Sequence, residues 1–148
     1  MITESLRSLY NRDLNKLKTE VEAYQNEENL WKIEKSIANS AGNLVLHLVG
    51  NLNHFIGTHL GNTGYVRHRE LEFSLKDIPR AELIEKIEAT LAMIDSVLPQ
   101  LSEDDLKKEY PLVVFENKMT TDYFLIHLIA HLDYHLGQIN YHRRLLDI

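Results

Sequence analysis

FLIHLIAHLDYHLGQ, residues 124–138, decides how this chain is read. His131 and His135 are four apart, so on a helix they stand one above the other on one face. That spacing lets two imidazoles reach one divalent ion. A second apolar segment, NLVLHLVGNLNHF at 43–55, offers His47 or His54 as a third donor. Two ligands rarely hold a metal well. Three leave an open coordination position, the arrangement of a catalytic site rather than a closed structural one.

Helical periodicity extends outward from this stretch. The segment that contains it predicts a helix over about 121–146, with Thr120 or Thr121 as N-cap. Leu6, Leu9, Leu17, Val21 and Tyr24 place an apolar stripe on a first helix over about 2–24. A second helix is expected over about 36–60. A third is expected over about 79–98, where Leu83, Ile84, Ile87, Leu91, Ile94 and Leu98 recur at helical spacing. Pro79 suits its first turn, and Pro99 can stop it. Four helices of this length in one small domain predict an all-α four-helix bundle spanning residues 1–148. The connection between helices two and three, GNTGYVRHRELEFSLKDI, is long enough to run the length of the bundle. The next connection holds a short helical turn at about 102–107. PLVVFENKM, after it, reads as a strand-like cover over one end.

Composition narrows the functional classes. The chain has 148 residues, 44% hydrophobic and 26% charged, as expected of a globular protein with one sizeable core. A net charge of -6 and no evident basic patch argue against nucleic acid as a partner. With no cysteine, the chain has no disulfide, no thiolate metal site and no thiol nucleophile. The first residues, MITESLRSLYNRDL, lack the pattern of a signal peptide, and no apolar run approaches the ~20 residues that span a bilayer. The expected location is cytoplasmic, away from membranes.

On a helical wheel centred on His131, the residues His127, His135, Gln138 and His142 fall within roughly 40°. Leu128, Ile129, Leu132, Leu136 and Ile139 occupy one flank, and Tyr134 and Tyr141 the other. Asp133, Gly137, Asn140 and Arg144 cluster opposite, so the histidines are expected to face the interior. A single inward histidine is most simply a hydrogen-bonded core residue. Several stacked imidazoles that lose water are harder to satisfy, and a metal ion or a wet pocket meets that demand.

The second helix leaves two readings open. Asn43, His47, Asn51, His54 and Thr58 form a polar stripe, with Val45, Val49 and Ile56 opposite. Either the stripe faces solvent, or it faces the pocket and the apolar back meets another subunit, with Gly50 and Gly57 permitting close approach. Several site types are excluded. No histidine has a glutamate three residues before it, as a ferritin-like di-iron site needs. HExxH, GxGxxG, Walker A and GxSxG are absent as well.

An inner-helix histidine followed by a late HxxxH and the trailing Gly137–Gln138, in four helices over ~150 residues, resembles the DinB/YfiT-like superfamily. The resemblance covers essentially the whole chain. It implies a helical bundle with a long connection after helix two, often a homodimer. It also implies one divalent ion, commonly zinc or nickel, on three histidines that map to His47, His131 and His135. His54 is a competing donor and His127 an extra neighbour. Related branches include thiol-dependent transferases and isomerases that use a small cofactor thiol. The fold alone does not set the reaction.

Further residues have smaller expected roles. In an extended GYVRHRELEF, Arg67 and Arg69 would share a side and could clamp an anion, although pairing with Glu70 or other acids is the simpler expectation. Gln138 and Tyr134 are placed to orient a ligand ring or a water. His142 reads as a polar end-of-helix residue, and Trp31 as a packing anchor before helix two. The function expected is a metal-dependent hydrolase or thiol-dependent transferase of unknown substrate. The alternative is a non-catalytic, metal-binding or stress-related dimer.

Overall fold

The computed structural model describes all residues, 1–148, and is all-helical. Its elements are α1 (Ile2–Ala23), α2 (Ala41–Leu52), α3 (Arg69–Ser74), α4 (Arg80–Val97), α5 (Glu103–Lys107) and α6 (Thr121–Leu146). The helix that begins as α2 continues without a break through a π-helical stretch, Asn53–Thr58, and a last turn, His59–Gly61. Short 3₁₀ turns lie at Glu27–Trp31 and Leu98–Gln100. No helix is long and apolar enough to cross a membrane.

The four long helical segments enclose one core. α1 packs on α4 and α6, and α2 packs on α4 and α6. The α1 stripe buries Leu6, Tyr10, Leu14, Leu17 and Val21, a three-and-four spacing that turns one face inward. The Tyr10 hydroxyl, inside that core, donates to the Leu125 carbonyl at 2.6 Å and so avoids an unpaired polar group.

α2 starts at Ala41, five residues later than the periodicity suggests. Ser40 explains the start: its hydroxyl accepts from the Asn43 N–H at 3.2 Å. Lys35 adopts φ 56°, a left-handed turn that a helix from residue 36 would not need. Trp31 is a packing anchor here, since its indole lies 2.8 Å from where a Cβ on Gly42 would stand.

All twelve residues of α2 are buried. Its apolar back, Val45, Val49 and Ile56, is therefore covered within the chain and does not need a second subunit. The cover comes from the long connection, which folds into α3 against α2, and from α4. Ser102 and Asp105 form a reciprocal capping box at the start of α5, where the short helical turn was expected. PLVVFENKM is not a strand: one isolated bridge, Glu109 to Thr120, closes its ends, and Leu112, Val114 and Met119 of the loop pack against the core.

α6 has the expected bounds, although Thr120 makes no side-chain cap bond. The polar side of the wheel is largely in solvent, with Asp133, Gly137 and Arg144 exposed. Only its edge meets α1, where the Asn140 amide donates to Glu20 at 2.6 Å and Arg143 to the same carboxylate at 2.7 Å. The tyrosine flank is in solvent as well, so the histidines lie at the border between core and surface.

Candidate metal centre

α2 and α6 bring three imidazoles together. His47 Nε2 lies 3.2 Å from His131 Nε2, and His135 Nε2 lies 3.1 Å from the same atom. All three donor nitrogens fall within 4.8 Å of one another. Nitrogens about 2.0–2.1 Å from one ion in a tetrahedral shell stand roughly 3.4 Å apart, so the spacing fits a shared ion. His47 is buried and the other two are half-buried, which leaves one side accessible.

The outer nitrogens decide what the inner ones present. Glu72 Oε1 lies 3.0 Å from His47 Nδ1, and a carboxylate only accepts, so His47 Nδ1–H donates. His135 Nδ1–H donates to Gln138 Oε1 at 2.7 Å. Both rings then carry the Nε2 lone pair, and both lone pairs point at His131 Nε2. One imidazole proton cannot satisfy two such neighbours. A cation between them can, and neutral imidazole nitrogens suit zinc or nickel. His131 Nδ1 is buried without a partner.

Glu72 is itself buried and tightly held. Arg67 donates from Nε to Oε2 at 2.8 Å and from Nη2 to Oε1 at 3.0 Å. Burial alone would raise the Glu72 pKa, but the hydrogen bonds from His47 and Arg67 outweigh it and hold the carboxyl below its usual range. Gly50 makes room for it: a Cβ there would collide with Glu72 Oε2. Burial, with His135 and His47 adding to it, pulls His131 down to about 4. Burial likewise lowers His135, while Gln138 acts in the opposite direction. His131 and His135 are therefore neutral donors at neutral pH.

The remaining candidates separate. His54 lies in the π-helical stretch and packs edge-on against His59, with ring centroids 4.7 Å apart, outside the cluster. His127 stacks on Phe124 and meets Phe115, again outside it. Tyr134 is exposed, edge-on to His135 at 5.4 Å. His142 is buried with Nδ1 unpaired, and burial lowers its pKa, so it is not a solvated helix-end group.

The two-arginine anion clamp is not formed. The chain leaves the extended state at residue 69, where α3 begins, and this turns the two side chains apart. Arg67 is bound to Glu72, while Arg69 lies over the Phe73 ring at 5.2 Å. Glu72 was the residue that sequence reasoning missed as part of the site. Gly50, one turn beyond His47, was the available signal for a side chain arriving from elsewhere.

Fold and cluster together define an all-helical protein with three histidine nitrogens gathered between two of its helices. The chain belongs to the family described as protein of unknown function DUF1572, which matches residues 3–147. Comparison with curated proteins finds no match.

Proposed function

We propose that this chain is a divalent-metal protein of DinB-like type, a single four-helix-bundle domain over 1–148, with His47, His131 and His135 as ligands. The supporting observation is the convergence of three Nε2 atoms, two of them fixed as lone-pair donors by Glu72 and Gln138. Zinc or nickel suits the donor set. An ion held by three histidines supplies Lewis acidity at its open position, enough to activate a water or a small thiol at neutral pH. The chain's own residues bind and orient. Glu72 and Arg67 hold the His47 ring, Gln138 holds the His135 ring, and the apolar core beneath excludes water. The reaction class that follows is metal-dependent hydrolysis or thiol-dependent transfer, in the cytoplasm, by a homodimer of the kind the resemblance implies.

A second reading keeps the metal without turnover, as in a metal-binding or stress-related dimer. The observation favouring it is Glu72: both its oxygens are engaged by His47 and Arg67, so the nearest carboxylate is not free as a general base.

Elemental analysis of untagged protein tests the shared part. We expect about one ion per chain, lost in His131→Ala and retained in His54→Ala. Absence of ion, or unchanged affinity for added zinc in His131→Ala, overturns the site. Esterase, amidase and thiol-transfer assays on the loaded protein then separate the two readings.

A further inference from the structure

The outer face of α6 carries a line of residues that nothing in the chain covers. Tyr123, Ile126, Ala130, Tyr134, Gly137, Tyr141 and Leu145 follow one another at intervals of 3, 4, 4, 3, 4 and 4 residues. An eleven-residue period is about 3.67 residues per turn, close to that of a straight α-helix, so the line barely drifts. All seven are exposed, with Tyr134 at 68%, Tyr141 and Leu145 at 63%, Tyr123 at 60% and Ile126 at 46%. A Cβ on Gly137 would meet nothing within 4 Å. Surface tyrosines scattered singly need no explanation, but an apolar line along a helix does.

The line reads the same in both directions. About Tyr134 as centre, Ala130 mirrors Gly137, Ile126 mirrors Tyr141, and Tyr123 mirrors Leu145, each to within one residue. In a two-fold interface the same patch meets itself, so antiparallel pairing about Tyr134 sets each of these positions opposite its mirror. We propose that this face of α6 pairs antiparallel with the same face of a second copy of the chain. The proposal rests on the homodimer reading above and names its surface. It replaces the back of α2, which the chain covers by itself.

Size and charge agree with that occupant. With the two-fold at Tyr134, the two Tyr134 side chains meet, and Ala130 of each copy faces Gly137 of the other, so the small residues let the helices approach closely. The five large side chains offer on the order of 600 Å² per copy, most of the ~800 Å² per partner of a standard interface. Asp122 lies in the first turn of α6 and Arg144 in the last. Antiparallel pairing sets Arg144 of one copy beside Asp122 of the other and opposes the two helix dipoles. Tyr134 packs edge-on to His135, so the pair would also cover the outer wall of the histidine cluster.

The absence of cysteine makes the test direct, because a single introduced cysteine can form only an intermolecular disulfide. We expect sedimentation at micromolar concentration to give a dimer, and Tyr134→Asp to weaken it at least tenfold. Tyr134→Cys should cross-link to itself on mild oxidation. A mixture of Ala130→Cys and Gly137→Cys should cross-link more than either alone, and Val66→Cys, exposed on the α2–α3 connection, should stay monomeric on denaturing gels. These side chains are outside the core, and circular dichroism verifies that each variant folds. A monomeric wild type overturns the proposal and the homodimer reading together. A dimer that Tyr134→Cys fails to trap, or a face that captures only other proteins, overturns the proposal. Metal content is read on the same samples, so a zinc-loaded monomer leaves the metal site standing.

Discussion

Glu72 is the residue on which the histidine cluster depends most. It accepts from His47, takes two bonds from Arg67, and lies where any side chain on residue 50 would be. Outer partners of this kind set ring orientation and basicity, and losing one commonly weakens metal affinity 10–100-fold. Glu72→Gln keeps an acceptor for His47 but removes the charge that pairs with Arg67. Chelator competition should show zinc affinity falling about 10–100-fold, with helix content retained. Gly50→Ala should displace the same carboxylate from the backbone side. Chemical denaturation should show a loss of about 1–3 kcal/mol, together with weaker zinc binding. Unchanged affinity in both variants would mean that Glu72 holds only Arg67.

At the scale of elements, His47 and His54 are seven residues apart, about 10.5 Å along a helix, too far to share one ion, and the π-helical stretch at Asn53–Thr58 turns His54 further away. Seven residues at 100° each return nearly to the same face, so a regular helix aligns them. An i→i+5 helix turns less per residue and moves His54 off that line, toward His59. Asn53 anchors the change: its side-chain amide donates to the Val49 carbonyl at 2.8 Å and to Thr90 Oγ1 on α4 at 2.9 Å. Asn53→Ala removes both bonds and should cost about 1–2 kcal/mol, read as a lower denaturation midpoint. With its anchor gone, the stretch is expected to relax toward regular helix. His47 lies before it, so zinc affinity should change less than tenfold, which calorimetry checks.

Across the whole molecule, α1 and α6 meet at a pair of carboxyls, Asp13 and Asp133. Burial and the Asp13 charge push Asp133 up to about 6, from an ordinary 3.8. Asp13 is buried whereas Asp133 lies at the surface, and hydrogen bonds from Arg12 and Asp133 hold Asp13 below its ordinary range. Lys16 faces both groups. A carboxyl raised on folding contributes stability that is fully present below its unfolded value. That stability is lost as the pH rises through the folded value, between about 4 and 6 for Asp133. Asp133→Asn should therefore stabilise the protein at pH 7–8 by about 1 kcal/mol after allowance for solvent screening. The gain should vanish near pH 4, as thermal melts across that range would show.

Much of this architecture is legible in the sequence because helical periodicity is a local property. Apolar spacing marks α1, α4 and α6 nearly to their ends, since burial of one face is what makes those segments helical. The HxxxH pair is legible for the same reason: four residues on one helix place two rings on the same face. Tertiary structure decided the rest. Which polar face of α6 meets α1, that the α2–α3 connection folds back to bury α2, and that Glu72 reaches His47 from 25 residues away are contacts between distant segments. Such contacts depend on shape and hydrogen bonding between faces, and no periodicity records them. The sequence by itself determined a helical chain with two histidines on one face. Only the packing of α2 against α6 brought in the third nitrogen, and only α3 supplied the carboxylate that orients it.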